Sequence, residues 1–321
     1  MKVCVQPFDQ FHSSQNKPYY TLTFTISFDH TNDVCYLAYH YPYTFTTLQT
    51  HLYYWRKQFF LGHERNTRFL LSNKAQKLRD SYIFKVVPML NPDGVINGCH
   101  RVSLSGQDLN RQWITPNNRL HPTIYYTKSL FHYLTSKKTR NPRWVFCDYH
   151  GHSRRSNSFF FGCNPEQSWW PADETKPDCE SFKILPILMD EIAPTFSLED
   201  CEFTIERSRE STGRVTIWRQ FDVPLSYTLE CSYGGCSQGK YLGYHLGIPQ
   251  LEDTGMKLCQ CFGKLVIDSQ SNRVWSSIPL DVKSFPLSSF SKPSRSKFCN
   301  SSTSTETDDE FEDCEDEDST V

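Results

Sequence analysis

The chain has 321 residues, of which 38% are hydrophobic and 15% aromatic, enough to bury the core of one large domain or of two unequal ones. No apolar run approaches the roughly eighteen residues of a membrane-spanning helix, and the N-terminus lacks the pattern of a secretion signal, so we expect a soluble protein of the cytosol. The formal net charge of −2 divides unequally: residues 301–321 contain ten acidic and no basic residues, which leaves −10 on this segment and +8 on residues 1–300.

This division of charge predicts the class of partner. A basic body attracts acidic partners, whereas a run of acidic residues cannot bury a core of its own. We therefore expect residues 284–321 to form a disordered acidic tail, which either only keeps the chain in solution or visits a basic cleft as a regulatory element. Nucleic acid is not an expected partner, because the basic residues are spread out and the tail would compete for them.

In chain order, the predicted elements alternate between strands and helices. Apolar residues alternate with polar ones at residues 19–28, which predicts a half-buried strand, and a second strand is predicted at residues 34–40. Predicted helices and strands then follow at residues 46–52 (helix), 69–81 (helix), 82–90 (buried strand), 123–135 (helix), 143–147 (strand), 183–192 (helix), 215–218 (strand), 226–230 (strand) and 251–265 (helix), whereas residues 53–68 show no convincing period. This alternation predicts an α/β layer fold.

Polar residues follow the predicted strand at residues 82–90, where sites form in α/β proteins. They include the sequence Asn-Pro-Asp-Gly at 91–94, Arg101, and the sequence Asp-Leu-Asn-Arg at 108–111. Arg101 and Arg111 are ten positions apart, and Asn110 directly precedes the second. One guanidinium can bind a carboxylate while the other polarises a carbonyl, which is what a carboxypeptidase requires.

Two further predicted strands end in residues with catalytic chemistry. His150 lies in the sequence Asp-Tyr-His-Gly-His at 148–152, after a hydrophobic strand, where a neutral imidazole can bind zinc. An ordinary hydrogen-bonded histidine is the alternative interpretation. Glu230 ends the strand at residues 226–230, where a carboxylate is either part of a salt bridge or buried as a general base.

Together, the segments at residues 88–98, 108–113, 148–154, 210–215 and 226–230 resemble, in order and spacing, those of the metallocarboxypeptidases, and specifically of the cytosolic carboxypeptidases that trim glutamates from tubulin. The resemblance covers residues 8 to about 265. It implies a mixed central sheet flanked by helices, with residues 1–45 as the end of a small β domain and residues 46–268 as the catalytic domain. It also implies a cytosolic zinc enzyme that removes C-terminal glutamates from polyglutamylated proteins such as tubulin, a substrate that would bring it to microtubules.

The resemblance implies roles for six residues, three at the bond to be cleaved and three around the substrate's C-terminus. His150 would be a zinc ligand, Glu230 the general base, and Arg101 the group that stabilises the oxyanion. The substrate's terminal carboxylate would be bound by Asn110 and Arg111, and its acidic side chain by Arg214.

One segment of the family's pattern is missing. Its members carry His-Pro-Gly-Glu, with two of the three zinc ligands, before the helix that leads into the strand at residues 82–90. Residues 53–68 contain no His-x-x-Glu, and His63 and Glu64 are adjacent, a spacing that cannot form the same chelate. Because catalytic zinc takes three protein ligands, we expect it to be poorly bound or absent. The missing piece would also remove a strand or two of the sheet and leave their neighbours unpaired.

Two functions therefore remain open at the level of sequence. One is a zinc carboxypeptidase that removes C-terminal glutamate, and the other is an inactive shortened form that binds acidic C-terminal tails. A third possibility is that the shortened chain does not fold stably. Metal content per chain separates the first two.

Overall fold

The computed structural model describes residues 2–5, 9–12, 18–21, 24–28, 30–35, 38, 41–58, 73–99, 101–136, 144–176, 180–267 and 274–276. The chain divides into two compact units, Met1–Arg56 and Lys57–Val321, whereas the predicted domain boundary lies at residue 45. Within the described residues, no helix has the length and apolar character needed to cross a membrane. The predicted acidic tail at residues 284–321 lies outside the described residues.

The first unit contains two antiparallel strand pairs and a helix. Strand β1 (Lys2–Val5) pairs with β4 (Phe24–Ser27), and β2 (Asp9–His12) pairs with β3 (Pro18–Thr21). The single strand predicted at residues 19–28 is therefore two strands from different pairs. Of the strand predicted at residues 34–40, the described residues Val34, Cys35 and Ala38 are not in a strand. Helix α1 (Phe45–Gln58) runs six residues past its predicted end at Leu52.

The second unit is built on a mixed three-stranded sheet in the order β5 (Val145–His152), β7 (Leu225–Ser232), β6 (Ser158–Phe161). Strand β5 runs parallel to β7, and β6 runs antiparallel to it. The central strand β7 is buried along almost its whole length, as expected of a strand that is covered on both faces. The predicted fold class, a mixed sheet flanked by helices, is confirmed.

Helices surround this sheet. They are α2 (Gln76–Ser81), α3 (Pro92–Asn97), α4 (Pro122–Ser136), α5 (Ile184–Ile192), α6 (Gly213–Phe221) and α7 (Ile248–Phe262), and a small antiparallel pair, β8 (Leu265–Ile267) with β9 (Val274–Ser276), follows them. The helices predicted at residues 123–135 and 183–192 are confirmed. The one predicted at 251–265 is shifted towards the N-terminus, because Leu265 begins β8.

The strand predicted at residues 215–218 is wrong, since these residues form the middle of α6. Thr212 caps this helix: its hydroxyl accepts a hydrogen bond from the Val215 amide at 3.5 Å. Residues 213–218 are all buried, Arg214 and Thr216 included, so polar and apolar residues do not separate onto two faces and the segment shows no helical period. The short run at residues 215–218 cannot be told from a strand by its pattern alone.

Two larger hydrophobic cores, and a small cluster of Cys163, Ile205, Val215 and Trp218, hold the described part of the second unit together. In the larger core, α5 and α7 pack with the sheet, and the side chains of Phe160, Leu188 and Tyr227 are fully buried. The Tyr227 hydroxyl keeps a partner there by donating to the Phe182 carbonyl at 2.9 Å. The smaller core joins α4 and α6 around Trp113.

The strand predicted at residues 82–90 is also wrong. Ile83 exposes 86% of its surface and Val86 68%. No backbone hydrogen bond joins residues 83–89 to another described part of the chain. The segment has the apolar composition of a strand, but a strand requires a neighbour to pair with. In the helix predicted at residues 69–81, a single turn (Asn73–Ala75) precedes α2, and residues 69–72 lie outside the described ones.

Candidate functional site

A cleft of about 960 Å³ opens in the second unit between the unpaired segment at residues 83–89 and β5. Apolar side chains of α4, including Leu130 and Phe131, line one part of it. The six residues assigned by resemblance line another part: Arg101, Asn110, Arg111, His150, Arg214 and Glu230. The fold therefore brings the predicted site residues together.

Two neighbouring strands place His150 beside Glu230. Strand β5 runs on from its predicted end at residue 147 to His152, so the histidine is part of the sheet and lies directly opposite Glu230 of β7. Side chains of register partners point to the same face of a sheet. Glu230 exposes only 9% of its surface. The pair could thus hold a water molecule between an imidazole and a buried carboxylate.

His150 is already engaged by a carboxylate on its own strand. Its Nε2 lies 2.8 Å from Oδ2 of Asp148. Burial opposes the charged imidazolium and is the largest single influence on its pKa. The charge and hydrogen bond of Asp148, together with the charge of Glu230, outweigh it and raise the pKa of His150 from 6.5 to about 9. His150 is therefore protonated at neutral pH.

Asp108 lies between Arg101, the predicted oxyanion group, and Arg111 of the predicted carboxylate site. Its Oδ2 lies 2.7 Å from Nη2 of Arg101 and 3.7 Å from Nη1 of Arg111. Its Oδ1 accepts a hydrogen bond from the Asn110 amide at 2.8 Å and so caps the single helical turn Leu109–Arg111. Two guanidinium groups thus converge on one carboxylate position.

Asn110 and Arg214 are linked through the start of α6. The Asn110 side-chain oxygen accepts a hydrogen bond from the Gly213 amide at 3.0 Å. Arg214 follows directly, is buried, and donates to the Gly162 carbonyl, with its guanidinium 5.8 Å from the Phe161 ring centre. The predicted specificity residue therefore reaches the cleft with part of its hydrogen-bonding capacity already used by the backbone.

Sequence reasoning missed three contributors to the site. Asp108 and Asp148 lie inside the motifs, but their partners become visible only in the folded chain. Tyr233 lines the cleft with its ring against Gly151, where a Cβ atom would overlap the ring. The missing side chain of Gly151 thus makes room for this tyrosine.

The donor set does not fit a zinc ion. No group of three His, Cys, Asp or Glu side chains within the described ranges is arranged to hold a metal. Asp148 contacts Nε2 of His150, the arrangement that orients a zinc-ligating histidine and leaves Nδ1 for the metal, so His150 fits one of the three protein ligands that catalytic zinc takes, and the other two are not found among the described residues. His152 also lines the cleft, and burial, followed by the charges of Arg155 and Arg154, lowers its pKa.

Comparison with known proteins identifies relatives of this chain. No family model matches the chain. Cytosolic carboxypeptidase 1 of Homo sapiens is 42% identical over 312 aligned positions, which cover 76% of this chain and 25% of that protein. Cytosolic carboxypeptidase 4 of Mus musculus is 39% identical over 322 positions, covering 79% and 28%. The chain thus spans about a quarter of the length of these relatives.

The solved structures support the fold alone. A metallo-carboxypeptidase from Burkholderia cenocepacia superimposes with a TM-score of 0.50 at 22% identity, over 59% of this chain and 47% of that one. The fold described above is therefore the fold of a metallocarboxypeptidase.

The alignments also measure an internal shortening. An alignment of 312 positions that covers 76% of a 321-residue chain includes only about 244 of its residues, so about 68 positions of the human relative have no counterpart here. The mouse relative gives the same difference, about 68 positions. An internal segment of that length is long enough for a strand and a helix. Through the segments that it shares with these proteins, the chain belongs to the cytosolic carboxypeptidase family.

Proposed function

We propose that this chain binds the free carboxyl terminus of acidic proteins in the arginine-lined cleft, with polyglutamylated tails such as those of tubulin as its cytosolic partners. One observation carries the proposal: Arg101 and Arg111 converge on a single carboxylate position, which Asp108 now occupies. Charge-assisted hydrogen bonds of guanidinium to carboxylate are the strongest that a side-chain pair provides for this purpose.

The charge of the cleft supports an acidic partner. Seven basic and five acidic side chains line it, so it carries a net positive charge before histidines are counted. The whole body of the chain, residues 1–300, carries +8. Such a field raises the rate at which acidic peptides encounter the cleft, and salt weakens the effect.

Hydrolysis of the C-terminal glutamate is the second candidate, favoured by the position of Glu230 opposite His150 and by the activity that the relatives' names state. In that reaction Glu230 would take the proton of the attacking water, and Arg101 would stabilise the oxyanion. Zinc would be the cofactor that such a site requires. Binding ranks first because the described residues do not fit that metal.

A pair of peptides tests the binding proposal. A peptide that ends in several glutamates should bind more tightly with a free C-terminus than with an amidated one, by about 1.5–3 kcal/mol for one charge-assisted hydrogen-bonded pair. Arg111→Ala should reduce this preference, because only one of the two arginines would remain. Arg119→Ala is the matched control, because Arg119 is an exposed arginine of the same unit that does not line the cleft. Equal affinity for both peptides would disprove the carboxylate site.

Metal content decides between the two candidates. We expect the purified chain to retain less than about 0.2 equivalents of zinc at micromolar metal, because one histidine leaves the remaining coordination positions to water. A stoichiometry near one that is lost in His150→Ala would favour the enzyme instead. Release of free glutamate from the same peptide would then confirm it.

A further inference from the structure

We propose that Asp108 is an internal competitor for the two arginines of the cleft, so that a bound C-terminal carboxylate must displace it. The inference deepens the proposed function and rests on it, because the competing ligand is the carboxylate that the cleft is proposed to bind. Asp108 then sets how strongly, and at what salt concentration, the cleft accepts an acidic terminus.

The two oxygens of Asp108 have separate partners. Oδ1 accepts the backbone amide of Asn110 and holds the helical turn that carries the site. Oδ2 contacts only guanidinium groups among the interactions described for it, at 2.7 Å from Arg101 and 3.7 Å from Arg111. One oxygen is thus structural, and the other occupies the position that a ligand carboxylate would take.

The ion pair is accessible to a competing ligand. The side chains of Arg101, Arg111 and Asp108 expose 40%, 25% and 19% of their surfaces. An ion pair at this degree of exposure is weak, because water and salt screen both partners. An incoming carboxylate can therefore replace it without leaving a buried charge uncompensated.

The backbone, and not the arginines, fixes the position of Asp108. A β-bridge joins Val102 to Asp108, and the Ser103 amide donates to the Gln107 carbonyl at 3.1 Å. The buried ring of His121 holds the same loop through Gln107, with 2.5 Å between its Nε2 and the side-chain oxygen. Removing the charge of Asp108 should therefore free the arginines and leave the loop in place.

The variant Asp108→Asn separates the structural role of Oδ1 from the ion pairing of Oδ2. Asparagine keeps an oxygen that can accept from the Asn110 amide, but its second group is an NH₂ donor, which cannot bind a guanidinium. Asp108→Ser is a second variant with the same logic, since a serine hydroxyl also caps a helical turn. If one of the two fails to fold, the other still tests the inference.

The experiment is a titration of the full chain with a labelled peptide that ends in several glutamates, and with its amidated form, at two salt concentrations. Asp108→Asn should bind the free-carboxyl peptide about two- to fivefold more tightly at low salt, the range expected when a partly exposed ion pair no longer competes. The amidated peptide should gain less, and the gain for the free form should shrink as salt rises.

Asp222→Asn is the matched control for loss of one negative charge. Asp222 has a positive φ of 50°, which asparagine also adopts readily, and it pairs with Lys176 away from the cleft. Its affinity for the peptide should equal that of the unmodified chain.

The outcomes separate this inference from the proposed function. A carboxylate preference in the parent chain that neither Asp108 variant increases would show that Asp108 aligns the arginines for the ligand, and would overturn the inference alone. A preference absent from the parent chain and from both variants would overturn the inference and the proposed function together. A stronger preference in the variants supports both.

Discussion

Two segments of the second unit, strand β7 and residues 83–89, have a similar apolar content but lie in different environments. Strand β7 is paired on both edges and buried along almost its whole length, whereas the segment at residues 83–89 has no strand partner among the described residues and exposes Ile83 and Val86. The exposed segment is at least as rich in β-branched residues. What differs is the presence of neighbours, because a strand's backbone groups and side chains are satisfied by chain that is distant in sequence.

The two environments meet at the cleft, beside an edge of the sheet. The cleft lies between the unpaired segment and β5, and β5 pairs on one edge only within the described residues. About 68 positions of the relatives have no counterpart in the chain. The chain thus keeps a closed side, formed by β7, β6, α5 and α7, beside an open side at the cleft.

The largest contrast should appear in hydrogen exchange. Amides of β7 should exchange only through global unfolding, because they are buried and bonded on both sides. Amides of residues 83–87 should exchange within about tenfold of the unfolded rate, a difference of several orders of magnitude. Exchange followed by mass spectrometry at the peptide level measures both in one sample. Comparable protection of the two segments would mean that residues 83–87 are paired in solution.

The next largest effect should come from truncating one side chain in the closed side and comparing it with one in the open side. Phe160→Ala should lower the free energy of unfolding by about 3–5 kcal/mol, because Phe160 is fully buried in the larger core. Ile83→Ala should change it by no more than about 0.5 kcal/mol, since the side chain lies in water. Chemical denaturation of both variants measures the difference, and a costly Ile83→Ala would contradict an open side.

Two glycines provide a smaller test. Gly151→Ala should destabilise the chain by about 1–3 kcal/mol, because the new Cβ atom would overlap the Tyr233 ring. Gly255→Ala is the control: nothing lies within 4 Å of a Cβ there, and alanine is preferred inside a helix such as α7, so a gain of about 0.5–1 kcal/mol is expected. Thermal unfolding of the two variants measures both the expected loss and the expected gain in stability.

The smallest expected effect is the pH dependence caused by His150. Its pKa is about 9 in the folded chain against 6.5 for the free side chain, so its contribution is complete below pH 6.5 and is lost as the pH rises through 9. Because the side chain is 33% exposed, we expect the free energy of unfolding to fall by about 1–2 kcal/mol over that interval. Asp148→Asn should flatten the profile. An unchanged slope in that variant would show that another group titrates.

The sequence predicted the parts of the fold that local pattern determines. Helices α4 and α5 and strands β5 and β7 were predictable, because hydrophobic period and turn residues specify them locally. The pairing of His150 with Glu230 was predictable because both follow apolar strands, whereas Arg101 and Arg111 reach the same cleft without the strand that was predicted to precede them.

The rest depended on distant contacts. Residues 213–218 of helix α6 are buried on every side, so they carry no amphipathic signal. Asp108 pairs with both arginines, and Asp148 pairs with His150. Several other charged residues were possible partners, and the sequence alone does not show which of them are close in the folded chain. Residues 82–90 have the composition of a strand, and composition does not show whether a partner strand is present.

The unpaired segment at residues 83–89 also bears on how long the chain survives in a cell. An exposed stretch of apolar, extended backbone is what chaperones and proteases recognise, and it is a template on which other chains can add strands. Lys85 and Pro88 interrupt the stretch, and charge and proline are the residues that discourage such stacking. We expect limited proteolysis to cut first on the N-terminal side of Pro88, within residues 83–87, so that turnover follows the exposure of these few residues and not the stability of the core.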